Sequence, residues 1–216
     1  NNYQLLTYSI IAALGGLLFG FDTGVISGAI PFIKGEFELT AYQEGFAISN
    51  LMIACTIGAF LSGPLADWAG RKKVLIFCSL LFLISAIFSA LPQSFIELVI
   101  ARFIGGLGVG MASVVSPMYI TEISPASIRG RLVALNQLAI VVGILCSYLS
   151  NWILLDTGIN NWRFMLATES IPSITFLFGL IFIPESPRWL MKNGDEKGTL
   201  SILNIVSGKK NAVKEL

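Results

Sequence analysis

Apolar residues fill six long runs, over roughly 8–33, 47–65, 74–91, 95–118, 132–152 and 164–183, with short polar stretches between them. Each comes near the ~20 residues that a helix needs to cross a bilayer. After residue 183 the pattern changes: 184–216 is charged and only intermittently apolar, which predicts amphipathic surface helices rather than a seventh span. The expected organisation is a six-helix transmembrane bundle over 1–183 and a cytoplasmic linker over 184–216. The fold class is therefore an all-α membrane protein.

Composition reaches the same class independently. Hydrophobic residues make up 55% of the chain and charged ones 12%, the latter about half of what a soluble domain carries. A soluble core of this size could not hide so much apolar surface. The net charge of +1 lacks the basic excess expected of a nucleic-acid partner. Cys55, Cys78 and Cys146 all fall inside apolar runs and there is no histidine, so disulfide frameworks and metal sites have nothing to build on. The first run has no basic flank, so no cleavable signal peptide is expected.

Charge in the connections sets an orientation. Arg71, Lys72, Lys73, Arg129, Arg131, Arg188, Lys192, Lys197, Lys209, Lys210 and Lys214 lie in alternate connections or in the tail, against Lys34 and Arg163 on the opposite side. The positive-inside bias places the basic loops, the tail and the N-terminus in the cytoplasm of a cell membrane. Among these connections, 63–73 is the most specific. Gly70 permits a tight reversal, Arg71 to Lys73 concentrate positive charge, and Asp67 is expected to accept from the amides that open the next helix. Basic residues alone would make a generic cytoplasmic loop; Gly63, Asp67, Gly70 and Arg71 together ask for more.

A repeat links the two halves of the bundle. Gly15, Gly16 and Gly20 in the first span match Gly105, Gly106 and Gly110 in the fourth. Spans one and four would then open equivalent three-helix units of opposite orientation, the inverted-repeat arrangement of many secondary transporters. The first span also carries a stripe of Gly16, Gly20, Gly24 and Gly28, suited to pressing on a neighbouring helix. Asp22 points away from that stripe, on the face of Gly15, Phe19 and Ile26, and is expected to present its carboxyl to a cavity. A mid-span carboxylate is expensive and commonly marks an ion or proton pathway; a buried structural Asp is the alternative. Arg102, near one end of the fourth span, is its natural counter-charge, unless it snorkels outward or pairs with Glu97. Separating Asp22 from Arg102 would switch the affinity of Asp22 for a proton. On the fifth span Gln137, Ile140, Val141 and Ile144 share a face. An amide among apolar residues suits a neutral polyhydroxylated ligand, or else an interhelical hydrogen bond. At the cytoplasmic side, 117–122, 128–131 and 184–188 bring both signs of charge to one face, as solvated surface or as a gating network.

These segments together resemble the sugar porter family of the major facilitator superfamily. The resemblance runs from residues 15–22, through 63–73 and 129–131, to Pro184, Glu185, Ser186, Pro187, Arg188, Trp189 and Leu190. It implies alternating access between two six-helix halves with a monosaccharide bound between them. Residue by residue, it implies sugar contacts at Phe19, Gln137, Ile140 and Ile144 and proton coupling at Asp22 and Arg102. It further implies a cytoplasmic gate of Asp67, Arg71, Glu122, Arg129, Glu185 and Arg188. Apolar Ile144 resembles glucose-type members more than some xylose carriers. The implied partners are a monosaccharide, the bilayer and a second six-helix half, with protons as coupling ion and no cofactor. Competing functions are a facilitative uniporter and a non-transporting sensor. An enzyme is not expected, because no nucleophile–base pair or metal cluster is available.

Overall fold

The computed structural model describes residues 2–206, and all regular structure among them is helical. The membrane helices are α1 (Asn2–Glu36), α2 (Ala41–Ala69), α3 (Arg71–Ala90), α4 (Phe95–Ile123), α5 (Arg129–Leu154) and the pair α6 (Asn161–Ala167) and α7 (Ser170–Phe182). Two surface helices follow, α8 (Pro187–Lys192) and α9 (Glu196–Val206). The expected six spans are present, and several run past the apolar runs into their polar flanks. The ends are set by local chemistry. Thr40 and Gln43 form a reciprocal capping box at α2, which satisfies amides that have no partner inside the helix. Ser94 and Ser186 cap α4 and α8 with their hydroxyls. Gly70 turns the chain from α2 to α3 at φ +98°, a conformation open to glycine but strained for side chains. Lys209, Lys210 and Lys214, counted above as cytoplasmic, lie outside the described residues.

The sixth span departs from the expectation of one continuous helix. It breaks at Thr168 and Glu169, between α6 and α7.

The glycines fix how the helices pair. A side chain at Gly20 would strike the Ile140 carbonyl, and at Gly24 the Ser147 hydroxyl, while Gly16 and Gly28 lie against Asn136 and Asn151. The stripe therefore packs α1 on α5. The fourth span repeats the arrangement on α2: Gly106 meets the Leu51 carbonyl and Gly110 the Cys55 carbonyl. In return Gly143 of α5 meets the Leu17 carbonyl, and Gly58 of α2 meets the Leu107 carbonyl. The contacts of Gly16, Gly20 and Gly143 in one unit have their counterparts at Gly106, Gly110 and Gly58 in the other, so the 15–20 and 105–110 match is a structural repeat. Close backbone approach is what small residues supply in a membrane, where apolar surface alone does not drive helices together.

The main core joins α1, α3, α4 and α7 around Leu18, Phe82, Val115, Tyr119 and Phe176. A second apolar cluster surrounds Trp162 at the opposite end. Elsewhere large apolar residues face outward, Phe60 at 80% exposure and Trp152 at 74%, a surface that only lipid or another apolar face would cover.

Candidate functional site

Three constellations lie along the bundle. Deepest is an ion cluster. Asp22 on α1 and Arg102 on α4 are almost wholly buried and meet two-pronged: Arg102 Nη1 donates to Asp22 Oδ1, and Nη2 to Oδ2 at 3.3 Å. Glu169, at the break in the sixth span, is equally buried, and its Oε1 has no hydrogen-bond partner. Of the alternatives open to Arg102, the structure shows the pair with Asp22 rather than Glu97 or an outward reach; Glu169 is not among the residues singled out from sequence. The signal was available, since a carboxylate inside an apolar run is the feature that singled out Asp22. The geometry also corrects the placement of Asp22. Its carboxyl does not face a cavity; it is enclosed between α1 and α4, because the guanidinium draws it inward and satisfies both oxygens. Arg102, instead, borders an open crevice of about 160 Å³ between α1 and α2, beside Thr23, Ser27 and Met52. Two carboxyl groups and one guanidinium are thus buried at this depth of the bundle.

The second constellation is a groove of about 480 Å³ where Phe19 of α1 meets Gln137 and Ile140 of α5. These three expected sugar contacts are brought together. Gln137 is exposed, so its amide is open to a ligand. Ile144 is not in the groove wall; one turn further along α5, it is half-buried, with its carbonyl against Gly24. Ser113, Asn136 and Pro117 complete the wall and were not anticipated. Asn136 adjoins Gln137 in sequence, but only the packing of Gly16 on it places it there.

The third lies at the start of α3. Arg71 is nearly buried; its Nη2 donates to Glu122 Oε1 at 3.0 Å, and its Nε stands 2.9 Å from Glu122 Oε2 as an ion pair. Its Nη1 donates to Ala66 O at 2.9 Å and lies 3.2 Å from Asp67. Glu185 accepts from the amides of Arg71 at 2.9 Å and Lys72 at 3.1 Å. Carboxylate at a helix N-terminus satisfies open amides and opposes the positive end of the helix dipole. This corrects the role expected of Asp67. Glu185, distant in sequence, caps α3, whereas Asp67 sits inside the last turn of α2 and pairs with Arg71 and, at 3.1 Å, Lys192. The Ser186 hydroxyl bonds Glu122, and Tyr119 donates to Pro184 O at 2.8 Å. The segment after α7 is thus stitched to the ends of α2, α3 and α4. Arg129 and Arg188 stand apart from this cluster and are exposed. They border an adjacent groove of about 400 Å³ with Glu122, and Arg129 donates to Ser124 O at 3.3 Å.

Known proteins carry the same framework. Residues 8–216 match the family model described as sugar (and other) transporter. The arabinose-proton symporter of Bacillus subtilis is 46% identical over 98% of this chain and 47% of its own length. The glucose transporter GlcP of Staphylococcus epidermidis is 42% identical over 96% of this chain and 46% of its own. A solved structure of the major facilitator proton:xylose symporter XylE, bound to 6-bromo-6-deoxy-D-glucose, superimposes with a TM-score of 0.96 at 37% identity. That match covers all of this chain and 52% of XylE. The chain thus spans about half the length of the relatives it matches. It is an integral membrane protein with the fold of the N-terminal half of XylE, and it belongs to the sugar transporter family of the major facilitator superfamily.

Proposed function

We propose that these helices form one wall of a proton-coupled monosaccharide symporter working by alternating access, the other wall coming from a second six-helix half. The observation that carries this reading is the surplus carboxyl of the Asp22, Arg102 and Glu169 cluster. Burying two carboxylates beside a single guanidinium is costly unless a proton joins them. With Asp22 charged, it holds Arg102 and ties α1 to α4. With Asp22 neutral, that tie weakens and the half is free to rock, so proton and conformation are linked. The names of the relatives, two of them proton symporters of arabinose and xylose, support the substrate class.

Phe19 and Ile140 supply apolar surface for a sugar ring, and Gln137 supplies a donor and an acceptor for its hydroxyls. A glucose-like hexose or a pentose such as xylose has the size and polarity for such a groove. Asp67, Arg71, Glu122 and Glu185 fix the cytoplasmic helix ends as one face of an inner gate, and Arg129 and Arg188 offer exposed guanidinium groups to the opposing face. The N-terminus and the basic loops lie in the cytoplasm, as the charge bias requires. No cofactor is needed; the coupling ion is the proton.

The test is Asp22→Asn in the complete carrier, which mimics the protonated state permanently. Concentrative uptake driven by a proton gradient should be abolished, while counterflow of sugar for sugar is largely kept. Accumulation that survives places the proton site elsewhere. An unmutated carrier that moves no protons with sugar makes the protein a uniporter.

A further inference from the structure

At the end of the bundle opposite the gate, a second clamp has no part in the transport reading so far. Trp162 is completely buried, and its indole Nε1 donates to Glu36 Oε2 at 2.8 Å. Arg163 donates to Glu36 Oε1 at 2.9 Å, to Pro92 O at 2.8 Å and to Ala90 O at 3.3 Å. Its guanidinium carbon stands 4.3 Å from the centre of the Trp162 ring, within cation–π range. Asn161 Nδ2 donates to Leu155 O at 2.9 Å. The first turn of α6 is therefore joined at once to the last residue of α1, the end of α3 and the chain leaving α5. It is the same corner of the repeat that Arg71 occupies at the other face, where the start of α3 is tied to the ends of α2 and α4.

α6 has seven residues, too few to be stable on its own. Directly after it come Thr168 and Glu169. α6 ends at Ala167, two residues before Glu169, so whatever seats the helix also sets where the chain delivers that carboxyl. The apolar cluster around Trp162 includes Phe21 and Leu98, which brings it beside Asp22 and one turn from Arg102. At the break, Ser150 of α5 donates to Thr168 at 3.0 Å.

We infer that Glu36, Trp162 and Arg163 are positioning residues for the proton site: they seat α6, and with it the buried carboxyl of Glu169, beside the Asp22 and Arg102 pair. The inference rests on the reading of that cluster as the site of coupling. The ionisable groups around Glu169 are few. Asp22 of α1 and Arg102 of α4 act on it electrostatically, and Asp22 acts in turn on Cys55 of α2. The charged residues of α3 and α5 sit only at their Arg71 and Arg129 ends, at the other face. A shift of α6 therefore changes the spacing of two carboxyls and one guanidinium, and with it the proton affinity of the cluster.

Two variants of the complete carrier test this. Glu36→Gln keeps the size of the side chain but removes the charge holding Arg163. Trp162→Phe keeps an aromatic ring at the buried site and removes the donor to Glu36 together with part of the indole's volume. In each, the pH at which concentrative uptake is half-maximal should move by about one unit, a tenfold change in proton affinity. The KM for sugar counterflow should stay within about twofold. Arg163→Lys, which keeps one charge but not the fork, should give a smaller displacement in the same direction. An unchanged pH profile in both variants, or a parallel fall of uptake and counterflow with the profile in place, overturns the inference. An unmutated carrier without proton flux overturns it together with the reading beneath it, so the two failures are separable.

Discussion

Arg102 and Arg71 are both almost buried arginines paired with carboxylates, yet their surroundings differ. Around Arg102 the setting is sealed from solvent: its partner Asp22 and the carboxyl of Glu169 are each 1% exposed. The cluster holds two carboxyls to one guanidinium. Around Arg71 exposure is graded, from Glu122 at 5% through to Asp67 at 54% and Lys192 at 60%. There two cations face two carboxylates, and the further carboxylate, Glu185, is spent on the amides that open α3. A sealed cluster with a surplus acid can balance itself only by taking a proton or changing shape. An open, balanced cluster at helix ends can be broken and remade without moving a proton. The first is suited to coupling, the second to fastening.

The sharpest way to break the comparison is to delete each arginine. Arg102→Leu leaves Asp22 and Glu169 together without their counter-charge. Removing one partner of a buried pair costs about 3–5 kcal/mol, so the carrier should be strongly destabilised in detergent and inactive in uptake. Adding Asp22→Asn should recover much of the stability, because the remaining carboxyl, Glu169, can hold a proton. Thermal unfolding of the single and double variants measures this. A double variant no more stable than the single one would mean that Arg102 acts by packing rather than by charge.

The second deletion, Arg71→Leu, should cost less, about 2–3 kcal/mol, in the range of a lost charged hydrogen-bond set with water able to reach the rim. Counterflow should fall while the pH dependence of what remains is unchanged, in contrast to changes at Asp22. A displaced pH profile in Arg71→Leu would erase the distinction between coupling and fastening clusters.

Much of this arrangement is legible from sequence, and the rest is not, for physical reasons. Six spans follow from apolar length alone, since the bilayer imposes it. The glycine stripes are legible because only small residues let helix backbones approach as Gly20 approaches Ile140 and Gly110 approaches Cys55. The pairing of Asp22 with Arg102 follows from the scarcity of charge in the spans. The break at Glu169 escaped because run length averages over the helix, hiding a carboxyl and two turn residues within it. The cap on α3 went to Asp67 because that residue is near in sequence, whereas Glu185 reaches the amides only after α7 has returned to the same face. Glu36 and Arg163 likewise meet through tertiary folding, so neither stood out as more than a loop charge. Ile144 illustrates a finer limit: helical periodicity places it on the face of Gln137, but the groove ends one turn sooner.

The smallest effect belongs to the rim of the cytoplasmic cluster and sharpens the comparison from the other side. Lys192 reaches Asp67 at 3.1 Å with both side chains more than half exposed. A pair in that setting gains little over its hydration, and less in salt. Lys192→Ala should therefore leave stability and uptake close to those of the unmutated carrier. Asp67 retains Arg71 as a partner, and Trp189 still donates from its indole to Asp67 O at 3.0 Å, so α8 keeps its seat on the end of α2. The measurement is thermal unfolding at low and high ionic strength, paired with uptake. Salt should shrink whatever difference exists between variant and parent. A clear loss of stability that persists in high salt would show that the rim pair is sealed as the Asp22 pair is, and the contrast between an enclosed and an open arginine would not hold.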